Sequence, residues 1–153
     1  MNAVLQPLPR FEPMTEGDIE PVLEIEQLIY EYPWTHGNFR DSLLAGYSGW
    51  VLRDGHGLIG YAMLMLGAGE AHLLNLSVAA PRERHGHGSR LLEHLIGVAR
   101  EAGAKLMFLE VRPSNAAGRR LYARHGFREA ALRRGYYPAR GGHEDALLLA
   151  LDL

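Results

Sequence analysis

Apolar residues after Asp18 fall at Ile19, Val22, Leu23, Ile25, Leu28 and Ile29, close to the three-or-four-residue spacing of one helical face. Thr15, with Asp18 three residues on, is a capping-box variant that opens this helix, and the pattern carries it to about Tyr30. Ahead of it RFEPM (10–14) reads as a short strand. Pro33 stops the helix, and PWTHGNFRDSLLAG reads as a turn and a short second helix with Gly46 just past its end. The pattern then changes to short apolar runs. GWVLRD (49–54), LIGYAMLMLG and EAHLLNLSVA (70–79) read as strands, the first two joined by hairpin chemistry at Asp54-Gly55-His56-Gly57. From Ser89 the set Leu91, Leu92, Leu95, Val98, Ala99 and Ala102 predicts an amphipathic helix that Gly103 ends. KLMFLEVR (105–112) is nearly all apolar and reads as a central strand buried on both faces. Ser114 is expected to cap a helix through His125, with Gly126 at its C-terminus. FREAALRRGYYP and HEDALLLALDL read as two terminal strands.

The resulting order is strand, two helices, three strands, helix, strand, helix, two strands. A three-strand meander feeding a strand–helix–strand unit implies a mixed sheet with helices packed over it, an α/β fold of the mixed, α+β-like kind. No repeat, low-complexity segment or linker interrupts the chain, and 153 residues suit a single domain over 1–153.

Composition narrows the chemistry. The chain has no cysteine, which excludes a disulfide framework, a thiolate nucleophile and a cysteine-ligated zinc, and suits a reducing cytoplasm. The N-terminal MNAVLQPLP lacks a basic region and a long apolar core, so it does not read as a signal peptide. LIGYAMLML is far too short for a membrane span. Net charge is only −2, but it is uneven: Glu12 to Glu31 holds seven acidic residues and no Lys or Arg, whereas Lys105 to Arg140 holds nine basic and two acidic ones. Such blocks are two solvated faces, or an acidic face for a cationic partner and a basic face for a phosphorylated one.

RHGHGSRLLEHL (84–95) lies after a strand and directly before a helix. Glycines there let the backbone approach a ligand closely, and the first helical amides have no partner within the helix. With the helix dipole this makes an anion site suited to phosphate, with Arg84 and Arg90 at the rim. A metal would need His85 and His87, with His94 and Glu83 as further ligands, and no H-E-x-x-H spacing supports it. No metal is expected.

Glu83-Arg84-His85-Gly86-His87-Gly88 resembles the signature loop of the GNAT acetyltransferases, Gln/Arg-x-x-Gly-x-Gly/Ala after the fourth strand, with Glu83 standing where the family has Gln or Arg. LEVRPSNAAGRRLYARHGF (109–127), RRGYYP (133–138), HEDALLLAL (143–151) and YPWTHGNF extend the resemblance over nearly the whole chain. They point to the RimI-like branch, the ribosomal-protein-alanine N-acetyltransferases. The resemblance implies the GNAT fold, a central twisted sheet of about seven strands flanked by about four helices. It also implies acetyl-CoA as acetyl donor, with the diphosphate held by the amides of Arg84, His85, Gly86, His87, Gly88 and Ser89. Leu76, Ser77 and Val78 are expected along the pantetheine arm, their amides polarising the thioester carbonyl, and Asn115 is expected to contact the cofactor.

Glu110 lies inside LMFLEV, where desolvation should raise its pKa and make it a better proton acceptor; equally, it fits a strand-end glutamate paired with Arg112 or a helix arginine. Tyr122 fits an amphipathic core tyrosine or a protonated phenol able to donate to the leaving sulfur. The resemblance assigns Glu110 as general base and Tyr122 as general acid. Trp34, Tyr136 and Tyr137 fit core aromatics or the lining of a peptide groove, and carboxylates among Glu24, Glu26 and Glu31 are expected to steer a cationic tail. The implied substrate is the N-terminal alanine of a ribosomal protein, acetylated directly in a ternary complex in the cytoplasm. Alternatives are another protein N-terminus, a lysine or a small amine. A non-catalytic acyl-CoA or RNA-binding module is a further alternative, although the stacking platforms of a nucleic-acid binder are missing. Neither direct nucleic-acid binding nor a membrane is expected, and the chain is expected to be a monomer or weak dimer.

Overall fold

The computed structural model describes residues 8–153. Residues 1–7, on which most of the signal-peptide reading falls, lie outside the described residues. Among the described residues the element order is the expected one, with four α-helices and seven strands that hydrogen-bond in chain order except that the seventh lies between the fifth and the sixth. The chain resolves into two compact units: the described residues through Met63 with Asn75–Leu91, and Leu64–Leu74 with Leu92–Leu153.

The first unit holds β1 (Arg10–Pro13), α1 (Ile19–Ile29), α2 (His36–Leu44) and β2 (Ser48–Asp54). It also holds the start of β3 (Gly57–Gly67), the end of β4 (Glu70–Val78) and the start of α3 (His87–Glu101). β1 runs antiparallel to β2, with Phe11 opposite Leu52. Asp18 Oδ2 accepts from the Thr15 backbone N–H at 2.8 Å, as the capping-box reading requires, though one short 3-10 turn (Glu16–Asp18) precedes the α-helix. Ile19, Val22, Phe39, Leu52, Ile59 and Tyr61 are fully buried and form the core. Leu28 departs from the expected apolar face and is 85% exposed; the buried stripe of α1 passes instead through Ile19, Val22 and Glu26. Gly60 is a point of close approach: a Cβ there would lie 2.5 Å from the Ser77 carbonyl oxygen and 2.9 Å from Leu91 Cδ1.

The second unit is built on β5 (Leu106–Val111), parallel to β4 with His72 opposite Phe108, and antiparallel to β7 (Gly142–Asp152). β6 (Arg128–Ala139) forms the outer strand beside β7, with register shifts between Glu129 and Ala131 and between Arg133 and Tyr137. Leu92, Leu95, Ala99, Met107 and Leu109 are buried.

Three expectations change in detail. The third helix begins at His87, not Ser89, so His87 and Gly88 belong to its first turn. α4 (Ala116–Arg124) is capped by Asn115, whose side chain accepts from Gly118 N at 2.9 Å; Ser114 is drawn aside to Glu144, to which its N–H and hydroxyl both donate at 3.0 Å. β5 is not buried on both faces: Met107, Leu109 and Val111 are buried, whereas Leu106, Phe108 and Glu110 are half-buried. That second face holds the His72 ring stacked on Phe108 at 4.3 Å and the Glu110 carboxyl, polar groups that a dry core would not hold. Among the described residues, no helix is long and apolar enough to cross a membrane.

Candidate active site

The loop before α3 is bent by two left-handed residues, Arg84 (φ 65°) and Gly86 (φ 78°). Gly86 suits such a conformation, whereas Arg84 adopts it without glycine's freedom, as strained loops at ligand sites do. A Cβ on Gly86 would meet nothing within 4 Å, so the loop faces open space. The helix closes its first turn with Arg90 N–H donating to Gly86 O at 3.1 Å. The amides of His87, Gly88 and Ser89 precede any carbonyl a turn back, and they stand at the positive end of a 15-residue helix. Arg90 Nη1 donates to His87 Nδ1 at 3.0 Å. Burial depresses the His87 pKa and the Arg90 charge depresses it further, which keeps the ring a neutral acceptor that holds Arg90 at the rim. Arg84, His85 and Glu83 are exposed. These donors fit a diphosphate. Among the described residues, no group of three His, Asp or Glu side chains is placed to hold a metal ion.

At the end of β4, Ser77 is buried between Leu76 and Val78, which are less so. Ser77 Oγ donates to Asn75 Oδ1 at 2.7 Å, leaving its oxygen to accept from the Tyr30 hydroxyl at 2.6 Å. Burial pushes the Tyr30 phenol up to about 12, so it remains a donor. Trp34, half-buried, packs at a tilt on Phe39 with centroids 5.0 Å apart. Glu26 overturns part of the steering expectation. It is 2% exposed, on the buried stripe of α1, and accepts hydrogen bonds within the protein, so only Glu24 and Glu31 face solvent.

In the second unit Glu110 is also largely enclosed, its side chain 8% exposed. His72 Nε2 lies 2.6 Å from Glu110 Oε2, and Arg133 Nη1 lies 3.8 Å from Oε1. An ionised carboxyl can only accept, so Nε2 carries the proton. Burial pushes the Glu110 carboxyl up as expected, but the His72 hydrogen bond and charge, together with Arg133, outweigh it. The expected raised pKa is therefore corrected to a lowered one. The sequence alternative of an Arg112 partner also fails: Arg112 Nη1 donates to Glu144 at 3.2 Å and to the Pro138 carbonyl at 2.9 Å.

Tyr122 is buried on α4, with its ring edge-on to Phe127 at 5.6 Å. Tyr136 and Tyr137 meet edge-on at 4.9 Å, with Arg133 over the first ring and Arg112 over the second. Burial and the Glu110 charge raise the Tyr137 phenol well above its ordinary value.

An enclosed, ionised glutamate suits proton acceptance, and a glycine-bent loop opening a long helix suits a phosphate. The acetyltransferase (GNAT) family model matches residues 19–127. The chain belongs to the GNAT family. It is similar to the [ribosomal protein bS18]-alanine N-acetyltransferase of Salmonella typhimurium, 38% identical over 140 residues, or 92% of this chain and 95% of that one. The enzyme of the same name from Escherichia coli K12 is 37% identical over 136 residues, covering 89% and 92%. The crystal structure of the Escherichia coli ribosomal-protein-S18-alanine N-acetyltransferase superposes with a TM-score of 0.88 at 34% identity, covering 95% of this chain and 94% of that one. This GNAT member is thus an N-acetyltransferase.

His72 escaped the sequence reading, and Glu26 entered it only as a steering carboxylate. His72 looked like one polar residue in an apolar strand; only the parallel β4–β5 pairing brings it to Glu110. Glu26 did carry a signal, a carboxylate seven residues after Ile19 and four after Val22 on the buried stripe.

Proposed function

We propose that this GNAT member acetylates the N-terminal alanine of ribosomal protein bS18, with acetyl-CoA as donor, by direct transfer in a ternary complex. The observation that carries the chemical part is the enclosed Glu110 carboxyl, held ionised by His72 at 2.6 Å. The substrate is taken from the names of relatives that match over nearly the full chain. Acetyl-CoA, when bound, supplies the acetyl group as a thioester. The amides of Arg84, His85, Gly86, His87, Gly88 and Ser89 would hold its diphosphate, Leu76, Ser77 and Val78 its pantetheine arm, and Asn115 a further contact.

A free α-amino group has a pKa of about 7.7–8.0, so much of it is already neutral near neutral pH. Glu110 stays ionised throughout that range and accepts the N–H that orients the amine. As the new N–C bond forms, the nitrogen becomes far more acidic, and its proton passes to a Glu110 oxygen. The C–S bond breaks, and the Tyr122 Oη proton goes to the sulfur. A carboxyl pKa below the ordinary range suits this timing, because the base need not pull a proton from a free ammonium. Trp34, Tyr136 and Tyr137 contact the peptide. The active form is a monomer or weak dimer acting as one domain over 1–153, and it works in the cytoplasm, a reading that the ribosomal substrate named for the relatives supports.

Mass spectrometry of a mixture of protein, acetyl-CoA and basic peptides beginning in Ala, Ser or Met tests the reading. An N-blocked peptide with an internal lysine completes the set. One acetyl group on the free alanine peptide is expected. Acetylation of the blocked peptide, or of none, would contradict it.

A further inference from the structure

The α1–α2 connection, residues 30–35, is tied down at both ends by one hydrogen-bond network. Glu26 Oε2 accepts from the Trp34 backbone N–H at 2.9 Å, while Oε1 accepts from the Tyr61 hydroxyl at 2.8 Å and from Asn75 Nδ2 at 3.0 Å. At the other end the Tyr30 hydroxyl donates to Ser77 Oγ, which donates in turn to Asn75 Oδ1. Asn75 therefore joins the two anchors, and Glu26 is the acceptor at one of them. Immediately beyond Trp34, Thr35 caps α2 by accepting from Asn38 N at 3.1 Å, so the connection has little freedom at that end.

A glutamate at 2% exposure on the apolar stripe of a helix is a poor choice for stability. Its three donors named here are neutral, and an aliphatic residue would fill the stripe of α1 without the desolvation cost. What a carboxyl offers there is two oxygens that accept on opposite sides, one toward Tyr61 and Asn75 and one toward the Trp34 backbone.

We propose that Glu26 is a positioning residue for peptide recognition, holding the 30–35 segment in the form that presents the Trp34 ring to the incoming N-terminus. The proposal rests on the peptide-acetylating function above.

Glu26→Gln separates the two sides. The amide has one acceptor oxygen, which remains with the two donors, Tyr61 and Asn75. Its NH₂ then faces the Trp34 N–H, donor against donor, and the segment is released. Expected consequences are a peptide KM raised roughly tenfold or more, since a lost hydrogen bond to a charged group is of that size. KM for acetyl-CoA and kcat should stay within about twofold. A second readout needs no catalysis. In a Trp50→Phe background, which leaves Trp34 as the sole tryptophan of two, acrylamide quenching should be greater in the Glu26→Gln variant than in its parent. Adding Trp34→Ala should abolish the effect of Glu26→Gln on peptide KM, because the two act through one element. Unchanged quenching overturns the proposal, as does a KM change that persists without Trp34. Absence of peptide acetylation by the parent protein would overturn the function instead, and the quenching comparison would still decide whether Glu26 holds the segment.

Discussion

His72 on β4 donates a 2.6 Å hydrogen bond to Glu110 on β5, and the same imidazole stacks on Phe108, two residues before that glutamate. The parallel register that sets His72 opposite Phe108 makes both contacts possible at once. Phe108 holds the ring plane, and the ring holds the carboxyl. Burial and His72 act on Glu110 in opposite directions, and His72, with help from Arg133, prevails.

His72→Phe keeps the stacking surface and removes the hydrogen bond. Burial of Glu110 then remains, opposed by Arg133 without the imidazole beside it, so the carboxyl should titrate at higher pH than in the parent. The acid limb of the kcat/KM profile moves to higher pH with it. Stability follows the same sign. A carboxyl whose folded pKa lies below its unfolded value stabilises the fold above that unfolded value, and this is lost as pH falls through the folded one. The parent should therefore lose stability on acidification from about pH 5 downward more steeply than His72→Phe does. Coincident acid limbs would show that His72 does not tune Glu110.

Gly60→Ala places a methyl against the Ser77 carbonyl oxygen, a backbone atom that cannot swing aside. Overpacking of this kind costs roughly 1–3 kcal/mol. Because the strain falls on the β4 segment proposed to run beside the pantetheine, acetyl-CoA affinity should fall as well as Tm. Calorimetry with and without acetyl-CoA measures both.

Asn115→Ala removes the cap of α4 and should destabilise the protein by about 1 kcal/mol. Ser114→Ala should cost less, since exposed Ser114 bonds to Glu144 rather than to the helix. Chemical denaturation of the two variants ranks them; the reverse order would return the cap to Ser114.

Charge reversal at Glu24 and Glu31 should raise KM for a basic peptide at low salt and leave it nearly unchanged at high salt, because exposed charges act at long range and are screened. An effect independent of salt would point to direct contact instead.

The element order was legible because the helices and strands carry clean periodicities. What remained hidden depends on distance along the chain. Glu110 was singled out, yet the direction of its pKa shift was misread, because burial is visible in LMFLEV whereas His72, 38 residues earlier, becomes a neighbour only through strand pairing. Ser114 read as the cap of the helix after β5, and Glu144, 30 residues later, leaves the cap to Asn115 by claiming the serine. Glu26 looked like one more carboxylate in an acidic stretch, although its place on the stripe of Ile19 and Val22 already marked it as buried.

The most direct measurement is the rate of acetyl transfer to a peptide with the bS18 N-terminus by Glu110→Gln, at saturating acetyl-CoA and pH 7.5, beside the parent protein. A fall of about 10²–10⁴-fold with Tm and acetyl-CoA binding retained is the predicted result, the usual size of a general-base contribution. A rate within about twofold of the parent would contradict the assignment of Glu110 as the base.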